Sequence, residues 1–438
     1  MSAPGLSWLG IARLGLVQAA LGAIVMLVTS LLNRVMVVEQ ALPAALPAAL
    51  VALHYVIQLS RPRFGHGSDR GGRRTPWIVG GMGLLGLGAL LATNAALLMG
   101  TSFGPGLTLA ILAYAMIGAG VGACGTSLLA LLATLTAEPR RPAAAAVTWM
   151  MMIAGIVLTA GVAGQLLEPW SEQRLALVAG GVVAAAFLLT LVAIHGIERT
   201  AQPAAPAATP APAPHPGFRT ALAQTWTDPA AQRLTLFIFV AMLAYSMQDM
   251  VLEPFAGLVF GYTPGQSTSL AGIQHGGVLA GMLAIGIFGS WLGRGRALPL
   301  WVAAGCVGSA AALALLSAGA LAGPGFPLRP AVFALGFFNG LFAVAAIGTM
   351  MSLAGAAGAG REGIRIGLWG AAQAIAFAAG GFLGAVGVDL GRAWFGSDAP
   401  AFLAVFSAEA LLFLVAAALA LGLAAPAPSR PQLKEVRA

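Results

Sequence analysis

AQPAAPAATPAPAPHPG, residues 201–217, stands near the middle of a 438-residue chain and decides how the rest divides. Its prolines break helices, and its alanines carry too little apolar bulk to hold a place in lipid, so the stretch is a polyproline-like linker. On its N-terminal side lie six apolar runs, at 13–33, 44–60, 76–98, 107–135, 143–166 and 174–195. On its C-terminal side lie six more, at 234–260, 267–292, 298–322, 330–354, 364–388 and 399–424. A spanning helix uses roughly 20 apolar residues. The expectation is an all-α membrane protein with twelve transmembrane helices in two six-helix halves, 1–196 and 234–424. A Pro/Ala-rich linker (197–233) joins them, and a tail (425–438) follows.

Composition agrees with this partition. Apolar residues make up 59% of the chain and charged residues only 8%, against about 25% charge in a soluble domain. So few charges exclude a cytosolic enzyme, a disordered chain and a nucleic-acid binder. The net charge of +8 reads instead as an orientation signal. Of the 22 basic residues, Arg34, Arg174, Arg329 and Arg392 fall on one side of the twelve spans and the remaining 18 on the other. By the positive-inside rule both termini and the linker are expected in the cytoplasm. The run 14–32 exceeds the apolar core of a signal peptide and reads as the first span. Cys124 and Cys306 lie inside apolar runs as small hydrophobes, with no disulfide or zinc spacing. Small-residue runs such as Gly118-Ala119-Gly120-Val121-Gly122 and Ala378-Ala379-Gly380-Gly381 suit close helix packing, or helices that rock past one another.

Between spans 2 and 3 the chain reads Gly65-His66-Gly67-Ser68-Asp69-Arg70-Gly71-Gly72-Arg73-Arg74. Glycines permit a tight turn, and the arginines hold it at an anionic leaflet. This resembles the gate-loop motif G-x-L-[AS]-D-[RK]-x-G-[RK]-[RK] of the major facilitator superfamily, with Gly67 in place of leucine. The resemblance implies the major facilitator fold and a latch role for Asp69, Arg70 and Arg73, within a motif set by Gly65, Gly72 and Arg74. A topological staple without switching is the other reading. The equivalent loop of the second half, 289–296, has no acidic residue, so any latch is one-sided.

Ionisable groups inside spans are costly and face a cavity or a partner. Span 1 ends in LNRVMVVE (32–39) and span 7 contains QDMVLEPF (248–255). Aligned as equivalent elements, Asn33 stands against Gln248 and Arg34 against Asp249, with Glu39 and Glu253 close by. An ion pair of Arg34 with Asp249 or Glu253 is expected, either as part of a central cavity or as a structural lock between the halves.

LNRVM and QDxxLEP, together with RPRFGHGSDRGGRRTPWIVGG (61–81), are similar to the PucC-type bacteriochlorophyll delivery branch of the superfamily. The resemblance covers nearly the whole chain. It implies an inner-membrane carrier or assembly factor, in the cytoplasmic or intracytoplasmic photosynthetic membrane. Such a protein delivers bacteriochlorophyll or assists light-harvesting complex assembly, with antenna polypeptides as partners beside the lipid bilayer. Bacteriochlorophyll would be a bound substrate, and no catalytic cofactor or metal is expected. Its magnesium accepts an imidazole nitrogen, and the intramembrane histidines are His54 and His275, in the equivalent spans 2 and 8. Each is either a pigment ligand or a satisfied interhelical hydrogen bond. The alternative function is a proton-coupled small-molecule transporter that uses Asp249 and Glu253. An enzyme attaching the prenyl tail is disfavoured, because the aspartate clusters that would hold magnesium on a diphosphate are lacking.

Overall fold

The computed structural model describes residues 6–61, 64, 73–137, 140–200, 229–288, 298–355 and 362–424. Within them the chain forms helices α1 (Trp8–Glu39), α2 (Ala45–Gln58), α3 (Thr75–Thr101), α4 (Phe103–Leu135), α5 (Arg141–Leu166) and α6 (Glu172–Ile194). After a short turn of helix at Ile197–Thr200 come α7 (Pro229–Phe260), α8 (Pro264–Phe288), α9 (Leu298–Ala322), α10 (Leu328–Gly355), α11 (Glu362–Phe395) and α12 (Asp398–Ala424). Eleven are long and apolar enough to cross a membrane, and α2 is a shorter apolar helix of 14 residues. The architecture is an all-α, multi-pass membrane fold.

Local chemistry sets the ends. The Ser7 hydroxyl accepts the Gly10 N–H at the start of α1, and the Ser171 hydroxyl accepts that of Arg174 at the start of α6, satisfying donors a first turn leaves free. Arg13 donates from Nε to the Ala193 carbonyl at 3.0 Å, covering the last turn of α6. Two helices overrun the apolar runs. α1 continues to Glu39 because its polar run finds partners, and α11 continues past Asp389 to Phe395, ending before Gly396 at a φ of 68°.

Each half builds its own core. One apolar cluster is drawn almost wholly from α1–α6, and a second from α7–α12, centred on Phe237, Phe255, Phe342, Trp369 and Phe413. α5 packs on α8, and α2 on α11. A small third cluster, Ile153 with Val278 and Met282, seals the α5–α8 seam. The glycine runs are packing surfaces. A Cβ on Gly118 would meet the His54 carbonyl oxygen of α2 at 2.5 Å, and one on Gly120 would meet the Leu85 nitrogen of α3 at 2.5 Å. One run thus seats α4 against two neighbours. Large apolar side chains such as Leu158, Leu177, Val192 and Leu411 point outward, as a lipid-facing surface requires.

Candidate functional site

The polar run of α1 lies in an irregular stretch. Leu27–Leu31 and Val35–Glu39 are π-helical, on either side of the α-turn Leu32–Arg34. Such π segments are rare and concentrate at functional sites. The Tyr114 hydroxyl of α4 donates to the Val28 carbonyl at 2.8 Å, inside the first of them. Ser30, Asn33 and Arg34 share one face of α1 at i, i+3 and i+4, and all three reach across to the other half.

Asn33 meets a defect in α7. Pro254 lies inside that helix and has no N–H, so the carbonyl four residues earlier, that of Met250, loses its ladder donor. Asn33 Nδ2 donates to the Met250 carbonyl at 2.8 Å and replaces it. The asparagine of LNRVM and the proline of QDxxLEP are therefore two parts of one lock between the halves.

Arg34 is 2% exposed and is paired with Glu39, and its Nη2 donates to the Tyr262 carbonyl at 2.6 Å. The expected pair with Asp249 or Glu253 is corrected in part: the close ion pair is to Glu39, while Glu253, also buried, accepts the Ser30 hydroxyl and still feels the Arg34 charge at longer range. The reason is the second π segment. It joins Arg34 and Glu39, five residues apart, where a regular α-helix would part them onto different faces.

Further bonds between the halves gather at the same end of the molecule. The Asp389 carboxylate of α11 accepts the N–H groups of Ala44 and Ala45, at 2.9 and 2.8 Å, where α2 begins. Thr263, between α7 and α8, donates to the Glu168 carboxylate between α5 and α6. A Cβ on Gly265 would meet the Gly164 carbonyl oxygen at 2.4 Å, so α5 and α8 touch backbone to backbone there. This end, where α1 turns into α2 and α7 into α8, is closed. A cleft of about 550 Å³ opens at its rim beside Asp389 and the Arg392–Asp398 ion pair, whose N···O distance is 2.7 Å.

Deeper along the seam the halves meet through aromatic rings. Phe377 of α11 lies 5.7 Å, centroid to centroid, from Tyr55 of α2 and 5.9 Å from Tyr245 of α7. Asp249 follows Tyr245 by one turn, and its Oδ1 is buried without a hydrogen-bond partner. Gln248 is fully buried, with both amide atoms unpartnered.

The two histidines differ. His54 is buried, with Nδ1 2.8 Å from the Val51 carbonyl and Nε2 2.8 Å from Gln58 Nε2, so its own helix occupies both ring nitrogens. His275 is half-buried and its Nδ1 lies 3.0 Å from the Ala271 carbonyl. Donation from Nδ1 leaves the lone pair on Nε2. Beside it, a Cβ on Gly276 would meet nothing within 4 Å.

Of the gate-loop motif, Gly65, Asp69, Arg70 and Gly72 lie outside the described residues, whereas Arg73 and Arg74 lie within them. The backbone N–H groups of Arg74 and Thr75 donate to Glu198 at 2.6 and 3.0 Å, and the Thr75 hydroxyl donates at 2.6 Å, capping α3. Burial pulls the Glu198 carboxyl upward, but those hydrogen bonds and the Arg73 charge together hold it below the usual carboxylate range.

Sequence reasoning passed over Glu198, Asp389 and Glu409. Glu409 is fully buried in α12, and neither carboxylate oxygen has a hydrogen-bond partner. Its signal was available: a carboxylate alone in the middle of an apolar span.

Two six-helix sets closed together at one end, with a polar lock between their first helices, are the architecture expected of the major facilitator fold. The fold is similar to the crystal structure of a bacterial homologue of the human lysosomal transporter Spinster, in an inward-facing and unoccupied conformation. That match has a TM-score of 0.61 and 15% identity, covering 95% of this chain and 96% of the other. The pattern defining the PUCC protein family matches residues 31–427, and the chain belongs to that family. It is 52% identical to the "Bacteriochlorophyll synthase 44.5 kDa chain" of Rhodobacter capsulatus, over 96% of both chains. It is 32% identical to "Protein PucC" of Rhodobacter capsulatus over 94% of this chain and 91% of that one. With "Protein PucC" of Cereibacter sphaeroides the identity is 30%, over 92% and 89%.

Proposed function

We propose that this protein is a carrier or assembly factor that delivers bacteriochlorophyll, or a related pigment, for light-harvesting complexes, and catalyses no reaction itself. The observation that carries this reading is membership of the PUCC family along nearly the whole chain, with a 52% identical relative named for bacteriochlorophyll. The word "synthase" belongs to that relative. A prenyl transfer would need acidic groups converging on a diphosphate-bound magnesium, whereas Glu253 is engaged by Ser30 and Asp249 faces the aromatic rings.

The basic-residue bias supports placing both termini in the cytoplasm of a bacterial inner membrane. The closed end then faces the periplasm, and cargo enters from the cytoplasmic side or its leaflet. Tyr55, Tyr245 and Phe377 offer flat faces on which a macrocycle can stack. The Nε2 of His275 is the nitrogen best placed to take a central magnesium, because both nitrogens of His54 are engaged. Outward apolar helices would carry the contacts to antenna polypeptides.

The test is the absorption spectrum of the protein purified in mild detergent from a phototrophic host. Pigment is expected with the wild type and with His54→Ala, and its loss is expected with His275→Ala. A wild type purified free of pigment would overturn the reading.

A further inference from the structure

The cleft at the rim of the closed end has no part in the pigment reading. Its volume is about 550 Å³, within the range of small-molecule sites, about 300–1,000 Å³. Both halves wall it. Ala41, Leu42 and Pro43 come from the turn into α2, and Asp389, Arg392 and Asp398 from the end of α11 and the start of α12. Arg392 and Asp398 pair through Nε and Oδ1 at 2.7 Å. Among the described residues, the two Nη groups of Arg392 and the Oδ2 of Asp398 have no hydrogen-bond or ion-pair partner. Each Asp389 oxygen accepts one N–H from the start of α2 and has room to accept a second bond.

The cleft thus offers one guanidinium with two free donor arms and two carboxylates with free acceptor sites. A lone anion would gain from Arg392 but meet two like charges, and a lone cation would gain from the aspartates but meet the guanidinium. A zwitterion with a phosphate beside a primary ammonium suits all three groups. The depth of the cleft says where such a group comes from. Leu390 and Trp394, 66% and 87% exposed, stand two residues before and after Arg392 on the same helix, about 3 Å along its axis at 1.5 Å per residue. An outward leucine followed one turn later by an outward tryptophan marks the boundary between hydrocarbon and headgroups. Leu383, seven residues before Leu390 and half exposed, continues that outward face towards the middle of the bilayer.

We propose that this cleft binds the headgroup of a phospholipid with a primary ammonium, phosphatidylethanolamine, its phosphate on the Nη groups of Arg392 and its ammonium between Asp398 and Asp389. With the closed end at the periplasmic face, the lipid comes from the outer leaflet. A headgroup seated between walls from both halves binds the closed state and not the open one, so the surrounding lipid stabilises closure. The site is separate from any cargo path and does not rest on the pigment reading.

Native mass spectrometry of the full-length protein, offered equal amounts of phosphatidylethanolamine, phosphatidylglycerol and phosphatidylcholine in mild detergent, tests the site. Phosphatidylethanolamine is expected to be retained in preference, because phosphatidylglycerol lacks the ammonium and that of phosphatidylcholine has no N–H to donate. Arg392→Gln and Asp398→Asn are each expected to weaken its binding about tenfold, the size of one charge-assisted hydrogen bond. Two variants keep the test decisive should one fold poorly. Equal retention of the three lipids, or phosphatidylethanolamine held by both variants as by the wild type, would overturn the proposal. Soluble glycerophosphoethanolamine separates a lipid from a free solute. It is expected to leave the bound lipid in place at equal concentration, and displacement would refute the lipid as occupant. Closure is read with Val37→Cys, since Val37 is buried at that end of α1. In nanodiscs of phosphatidylcholine, its labelling by an impermeant maleimide is expected to slow several-fold when phosphatidylethanolamine is included, and to be insensitive to that lipid in Arg392→Gln. A rate independent of the lipid in the otherwise wild-type protein would sink the stabilisation of closure.

Discussion

Replacing Asp389 with alanine isolates one of the contacts that hold the closed end. Its carboxylate accepts two backbone N–H groups at the first turn of α2, across the boundary between the halves, at 2.9 and 2.8 Å. Removing a carboxylate cap of this kind costs about 1–2 kcal/mol, including its interaction with the helix dipole. The contact exists only while that end is closed, so the whole loss falls on the closed state and raises the open population about 5–30-fold. Val37, 1% exposed at that end of α1, can be changed to cysteine and labelled with a membrane-impermeant maleimide. The native Cys124 and Cys306 are buried, so background labelling is slow. Labelling of the Val37→Cys protein is expected to quicken by the same factor when Asp389→Ala is added. An unchanged rate would refute the idea that Asp389 holds the halves together.

Two further expectations concern packing and pH. Gly336→Ala places a methyl 2.0 Å from the Gln274 carbonyl oxygen and pushes α8 from α10, whereas Gly180→Ala meets nothing within 4 Å. Thermal unfolding in detergent is expected to show a large loss for the first and no loss for the second, which gains about 1 kcal/mol of helix propensity. The Glu198 carboxyl is held below its ordinary value in the folded protein. Its stabilisation is therefore complete above the ordinary carboxylate range and fades as the pH falls through the lowered folded value. Melting temperature measured against pH is expected to lose this acid-side slope in Glu198→Gln, and an identical profile would refute the capping role.

The helices were legible because apolar length acts locally, wherever it stands in a fold; of the expected linker, 201–228 lie outside the described residues, while Ile197–Thr200 is helical and α7 already begins at Pro229. Asn33, Arg34 and Glu253 were also legible as inter-half residues, since polar groups buried in lipid need partners. The partners themselves were not. Gapless alignment of spans 1 and 7 assumes a regular helix, and the π segments of α1 bring Arg34 to Glu39 at a spacing that a regular helix does not join. Pro254 was visible, but its consequence, the free Met250 carbonyl that Asn33 takes, needs both helices in place. Asp389 read as the end of a span because charge usually marks one. In the fold its carboxylate finds the N-terminus of α2, more than 300 residues earlier in the chain.

Joining the halves at one end makes each long helix a lever. α7, with 32 residues, is about 48 Å long at 1.5 Å per residue, and the Asn33 and Arg34 contacts grip it toward one tip. A tilt of a few degrees about that grip scarcely moves Met250, yet the far tip at Pro229 sweeps through a much wider arc. The bonds that form the lock therefore need only flex, not break, for the opposite mouth to change its width.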